Sequence, residues 1–359
     1  MNIFKNFERG IMKKTKKEHY VPQCYLRNFC IKGNDKKINV FDKQKEQTRL
    51  NQNILDNASE RYFYDIDIDK ILNEASEEKR KDMLSQLGDK YDVYKNDKEQ
   101  HIEKLFSEVI EGDYSEMLKS IIYKAETATP WYLKNCYSMS EVVKIKMAVC
   151  ITFQFLRTKK SRDMLQDGMI KMYKVLLTKL YNIEYGNSTG NISVEDIDVS
   201  IGKEAMKLEH VQFMLDIDRI LEFTKCFLNH VWVIYINKTE IPFWTSDAPV
   251  ALNPMQNGWR SGRGIAAEGI EIILPLSDKV CLGMYDREYY GDLFYKATVK
   301  EDRIYIEIDD CNKVNSFNEL QVRESYRCIF SSNQDFTLAK ELCEKYPSIK
   351  ETGDYFNAE

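Results

Sequence analysis

No CxxC or CxxxC pair occurs among the nine cysteines, which stand singly along the chain. Neither a zinc cluster nor a disulfide framework is therefore encoded, and buried free thiols are expected. No run approaches the roughly 18 apolar residues a membrane span requires. The opening MNIFKNFERGIMKKTKKEH is basic but has no apolar signal-peptide core, so a cytoplasmic protein without a membrane partner is expected. A basic surplus is missing as well: 52 Lys and Arg stand against 57 Asp and Glu, a formal net charge of -5. That excludes the global footprint of a dedicated nucleic-acid coat and leaves room only for a local basic cleft. The segment Trp259-Arg-Ser-Gly-Arg-Gly264 has a phosphate-loop-like composition but lacks the spacing and lysine of a P-loop, so a hairpin tip is expected there. Ser246 has no elbow glycines around it, which argues against a Ser-His-Asp hydrolase. No internal repeat is visible.

With 359 residues, 43% of them hydrophobic and 12% aromatic, the chain has ample material for a large core. The stretch His19-Tyr-Val-Pro-Gln-Cys-Tyr-Leu-Arg-Asn-Phe29 sets a histidine, a glutamine and an arginine among aromatics. Pro22 biases Val21 toward extended geometry and suits the start of a helix carrying Gln23 and Arg27. His19 then sits at the mouth of that helix. Alternation in Lys37 to Lys43 predicts a strand in a small hairpin or edge sheet, with Gly33-Asn34-Asp35 as the preceding turn. Spacing of three and four from Ile102 to Ile122 predicts an amphipathic helix. Ser140 to Ile183 reads as one long helix or two abutting ones with Ser140 as N-cap. Asn182 to Ser200 reads as a connecting loop or domain seam, and Lys203 to Leu228 is again expected to be helical. His230 to Asn237 reads as a strand with Ile241 to Ser246 as its hairpin partner. Strands at 270–276, 280–285, 304–308 and 328–331 follow, with helices at 313–327 and 336–346.

The fold class is α+β: a helical amino-terminal region, about 100–228, packed on a mostly antiparallel carboxy-terminal sheet, about 229–332. Residues 1–17 form a lysine-rich lead-in, 18–332 a single domain, and 333–359 a closing helix and tail.

Polar residues in apolar surroundings mark the candidate site. In Val149-Cys-Ile-Thr-Phe-Gln-Phe-Leu-Arg-Thr158, Gln154 and Arg157 interrupt an otherwise apolar helix at i,i+3. An unpaired buried arginine costs several kcal/mol, so a carboxylate or an anionic ligand must meet Arg157. Glu103, Glu111 and Asp247 are the candidate acceptors. Asp247 follows a strand in Trp244-Thr-Ser-Asp-Ala-Pro-Val250, a position suited equally to a site carboxylate and to a local turn cap. Glu60, beside the aromatics of Ser59-Glu-Arg-Tyr-Phe-Tyr64, could reach inward. His19, Gln23, Gln154, Arg157 and Asp247 are expected to converge, because one shared network leaves fewer unsatisfied groups than separate burial.

HYVPQCYLRNF, INVFDK, ERYFY, IEKLFSEVIE, FQFLRT, WTSDAPV and LPLS together resemble the ordered landmarks of a bacterial family catalogued as domain of unknown function 4238, over roughly residues 18 to 332. The resemblance implies that His19, Pro22, Gln23, Glu60, Glu103, Glu111, Gln154, Arg157, Ser246, Asp247 and Pro249 are the family's polar landmarks. Cys24 stands where an aromatic is more usual. The family name carries no activity. The residue inventory itself suits metal-assisted hydrolysis of a phosphodiester, with a nucleic acid or nucleotide as partner. In that reading Mg²⁺ or Mn²⁺ is held by Glu103, Glu111 and Asp247, and His19 acts as base or ligand. Arg157 neutralises phosphate charge and Gln154 orients a water or a phosphate. A nuclease of bacterial stress or phage defence is the function so expected. The alternative is a non-enzymatic ligand-sensing or protein-interaction module whose buried polar network is structural.

Overall fold

The run Val231-Trp-Val-Ile-Tyr-Ile-Asn237 is buried at every position, because strand β5 (Val231–Asn237) is covered on both faces. Trp232, Ile234 and Ile236 point into the largest core cluster, while Val231, Val233 and Tyr235 point into a second one on the opposite face. The computed structural model describes residues 17–88, 102, 106–254, 264–297 and 303–353. Strand β5 lies inside a five-stranded sheet of order β10-β5-β9-β8-β7, completed by β7 (Ala251–Asn253), β8 (Glu271–Pro275), β9 (Val280–Tyr285) and β10 (Arg303–Ile308). The β10–β5 pair is parallel and the other pairs are antiparallel.

A second sheet joins the two ends of the chain. Its order is β3-β2-β11-β6, from β2 (Lys37–Asp42), β3 (Gln47–Asn53), β6 (Thr245–Ser246) and β11 (Cys328–Ser331), all antiparallel. Two sequence expectations are corrected here. The 37–43 strand forms the expected hairpin, with β3, but lies inside the sheet between β3 and β11 and not at an edge, and Ser246 pairs with Ile329 of β11 instead of closing a hairpin on β5. Alternation within a strand identifies it without naming its partner, which is chosen by the rest of the chain. Strands β1 (Lys17–His19) and β4 (Ser59–Arg61) form a separate antiparallel pair.

The helices follow the apolar periodicity and break where it breaks. A π-helical segment, Phe106–Ile110, leads into α4 (Glu111–Thr127), after the short α1 (Gln23–Leu26), α2 (Ile68–Glu74) and α3 (Glu77–Leu87). After α5 (Pro130–Asn135) come α6 (Glu141–Leu156) and α7 (Lys159–Thr189), two helices separated at Arg157-Thr158. Ser140 caps α6 by accepting from the Val143 amide at 3.3 Å, and Thr158 caps α7 by accepting from Ser161 at 3.1 Å. The 203–228 stretch is likewise two helices, α8 (Lys203–Leu215) and α9 (Ile217–Asn229), with Asp216 capping the second. Helices α4, α6 and α9 contribute to the main core beside β5. On the other face lies α11 (Cys311–Glu324), which follows α10 (Arg287–Ala297) and precedes α12 (Thr337–Lys345). Phe336 and Leu342 pack with Phe41 and Trp244, so the closing helix belongs to the body of the fold. The molecule is α+β.

Candidate functional site

The joint between α6 and α7 is where the chain's distant polar residues meet. Arg157 stands at the end of α6 and is 1% exposed. Its Nη1 donates to Glu111 Oε1 at 2.9 Å, its Nη2 donates to the carbonyl of His19, and its guanidinium lies 4.1 Å from the Phe106 ring centroid. The partner that a buried arginine requires is thus Glu111, at the first position of α4. His19, at the end of β1, is buried, with both ring nitrogens 3.3 Å from the side-chain nitrogen of Gln23. Gln154, one turn before Arg157, receives a hydrogen bond from the Tyr114 hydroxyl. Tyr64 donates its hydroxyl to the Arg157 carbonyl at 2.9 Å. His19, Gln23, Glu111 and Arg157 are therefore joined directly, and Gln154 lies on the same helix beside them.

Asp247 occupies a different cluster. Its carboxylate accepts from the backbone N–H groups of Tyr326, Arg327 and Cys328, between 2.8 and 3.1 Å. Burial pushes its carboxyl above the usual range, opposed by those donors and by the charge of Lys43. Lys43, itself 1% exposed, donates to the carbonyls of Val322 and Ser325 at the end of α11. Burial lowers its ammonium to about 8. Asp247 thus clamps the turn between α11 and β11. Ser246 donates to Gln321, and the Pro249 carbonyl accepts from the same glutamine. Tyr20 lies between the two clusters; burial first, and then the charges of Asp247 and Glu60, raise its phenol well above the ordinary value. Glu60 meets Lys159 at 2.8 Å. Burial raises its carboxyl, but the lysine outweighs this and holds it below the usual range. Glu103 and most of the 255–264 segment, Met255 to Arg263, lie outside the described residues. Among the described residues no group of three or more His, Cys, Asp or Glu is placed to hold a metal ion.

The two most specific landmark segments touch. The Tyr25 hydroxyl is 2.7 Å from Thr245 Oγ1 and donates to the Pro275 carbonyl at 2.6 Å. One bond thus ties HYVPQCYLRNF to WTSDAPV across 220 positions. A family model described as protein of unknown function (DUF4238) matches residues 17–335. The chain belongs to this family. No curated protein and no solved structure matches it. All nine cysteines, eight of them within the DUF4238 domain and Cys343 beyond it, are free thiols, and no helix among the described residues is long and apolar enough to cross a membrane.

Several residues that the joint depends on carry no motif in the sequence. Arg162, five residues beyond Arg157, donates to the Phe63 carbonyl at 2.7 Å and to His210 Nδ1 at 3.2 Å. Because His210 Nδ1 accepts there, its Nε2–H must donate to the Leu156 carbonyl, 2.8 Å away. Burial, reinforced by Arg162, lowers His210 to about 3, so the ring is neutral. A histidine on the apolar side of the helix KLEHVQFML was the available signal. A cleft of about 840 Å³ opens beside this joint. Phe155, Met164, Phe223 and Leu252 line its apolar part, and Thr158, Lys160 and Ser161 of the first turn of α7 line its polar part. Lys160 pairs with Glu324 at 2.5 Å, at the same edge.

Proposed function

We propose that this chain is a ligand-sensing module that takes an anionic, partly apolar small molecule of nucleotide type into the 840 Å³ cleft at the start of α7. The observation that carries the reading is where the polar groups are committed. Glu111 is engaged by Arg157 and Asp247 by three backbone donors, while the cleft is open, largely apolar, and ends in hydroxyl groups and the cations Lys160 and Arg323 beside the carboxylates Glu324 and Glu351. Such a lining is the usual form of a small-molecule site. The first-turn amides of α7 favour a negative group, and Lys160 can exchange Glu324 for it. The Arg157 network then fixes the angle between α6 and α7, on which the cleft depends. The test is calorimetry and thermal-shift measurement with nucleoside mono-, di- and triphosphates, with and without Mg²⁺ or Mn²⁺. Binding without a divalent ion, recovery of the nucleotide intact, and loss of binding in a cleft-filling Leu252→Trp variant are expected. Absence of binding by every nucleotide overturns the reading.

Metal-assisted phosphodiester hydrolysis, as by a nuclease of bacterial stress or phage defence, is the second reading. It is favoured by the direct linkage of His19, Gln23, Glu111 and Arg157. It expects Mg²⁺- or Mn²⁺-dependent cleavage of nucleic acid that is lost in Glu111→Gln, which keeps the hydrogen-bond acceptor for Arg157 and removes the charge a divalent ion needs. Metal-dependent turnover abolished by that substitution would decide for hydrolysis over sensing.

A further inference from the structure

Helix α7 has two unlike faces. At 100° per residue, the side of Thr178, which is buried, and of the half-buried Lys171, Lys174 and Asn182 is the one turned toward the protein, with Val175 and Tyr185 near it 41% and 45% exposed. Directly opposite lie Met169, Tyr173, Leu176, Leu180 and Ile183, spaced four, three, four and three apart. Tyr173, Leu176, Leu180 and Ile183 are 38%, 48%, 52% and 81% exposed. That four-and-three spacing is the alternation of a coiled-coil seam. Met172 and Leu177, also exposed, widen the seam on its two flanks.

We infer that α7 is a self-association helix, and that its partner is the same helix of a second copy, aligned parallel. Two arguments identify the occupant. The first is area: with side chains of this size at roughly half exposure, the stripe and its flanks present on the order of 600 Å², near the about 800 Å² per partner of a stable interface and at the upper end of ordinary surface patches. The second is charge. If Tyr173 and Leu180 are a positions and Leu176 and Ile183 are d positions, then Lys179 is at g and Glu184 at the following e. A parallel pair sets Lys179 of each copy against Glu184 of the other, and Met172 against Leu177. An antiparallel pair sets Lys179 against its own counterpart and Glu184 against Ile170. Only the parallel alignment satisfies both charges.

This inference is independent of the ligand-sensing reading and is tested on the full chain without ligand. Sedimentation equilibrium at tens of micromolar should give twice the 42.3 kDa chain mass. Leu180→Glu, at a position already half exposed, should give the single-chain mass with an unchanged circular dichroism spectrum and melting temperature. Lys179→Glu should weaken association at least tenfold, and Lys179→Glu combined with Glu184→Lys should restore it. A monomeric wild type, or a dimer indifferent to Leu180→Glu, overturns the inference. A dimer lost with Leu180→Glu but unaffected by the two charge substitutions overturns the parallel alignment.

Discussion

Acid should unfold this protein through His210. The ring is buried, neutral and held at about 3 by burial and by Arg162, whereas a free histidine titrates near 6.5. A folded-state value below the unfolded one means that the unfolded chain binds the extra proton first. The stability is therefore intact above pH 6.5 and is lost as pH falls toward 3. At about 1.4 kcal/mol per pH unit between the two values, the loss is about 2 kcal/mol at pH 5 and about 5 kcal/mol at pH 3. Domains of this kind have only about 5–15 kcal/mol in total. Protonation would place a cation on Nδ1, against the Nε–H that Arg162 donates, in a pocket closed by Phe63 and Tyr64. His210→Gln keeps a donor for the Leu156 carbonyl and removes the titrating group. Urea unfolding followed from pH 7 to pH 4.5 should show the wild type losing stability about one proton more steeply than the variant, whatever the variant's starting stability. His230, also lowered by burial, adds the same slope to both proteins and cancels in the comparison. Parallel curves for wild type and His210→Gln would refute the reasoning.

Arg157→Ala should reduce the unfolding free energy by about 3 kcal/mol, because Glu111 and the His19 carbonyl lose their shared donor; Arg157→Lys should recover less than half, since one ammonium cannot span both acceptors. Denaturant midpoints measure both. Tyr25→Phe removes only the hydroxyl that ties Thr245 to the Pro275 carbonyl, and should cost about 1–3 kcal/mol with unchanged secondary structure by circular dichroism. Gly283→Ala would place a methyl 2.8 Å from the rings of both Tyr235 and Tyr285, whose hydroxyls are 2.7 Å apart. Overpacking of this kind should lower stability by about 1–3 kcal/mol, read as a fall in melting temperature.

Local chemistry carried much of this fold. The cap at Ser140, the extended run of β5 and the turn containing Gly33 at φ 81° rest on neighbours within a few residues, so the sequence alone determined them. It also required that Arg157 have a buried acceptor, because an apolar helix offers none. Which acceptor it has was settled by packing: α4 brings Glu111 to the guanidinium from 46 positions away. Long-range pairing likewise decided that β2 lies beside β11 at the far end of the chain, and that Asp247 caps the amides after α11. Nothing near Asp247 in the sequence distinguishes a carboxylate that binds amides from one that binds a metal ion; the two differ only in what the rest of the chain folds against it. His210 shows the same limit: its spacing places it on the buried side of α8, but only Arg162 and the Leu156 carbonyl, arriving from α7 and α6, make it a neutral structural ring.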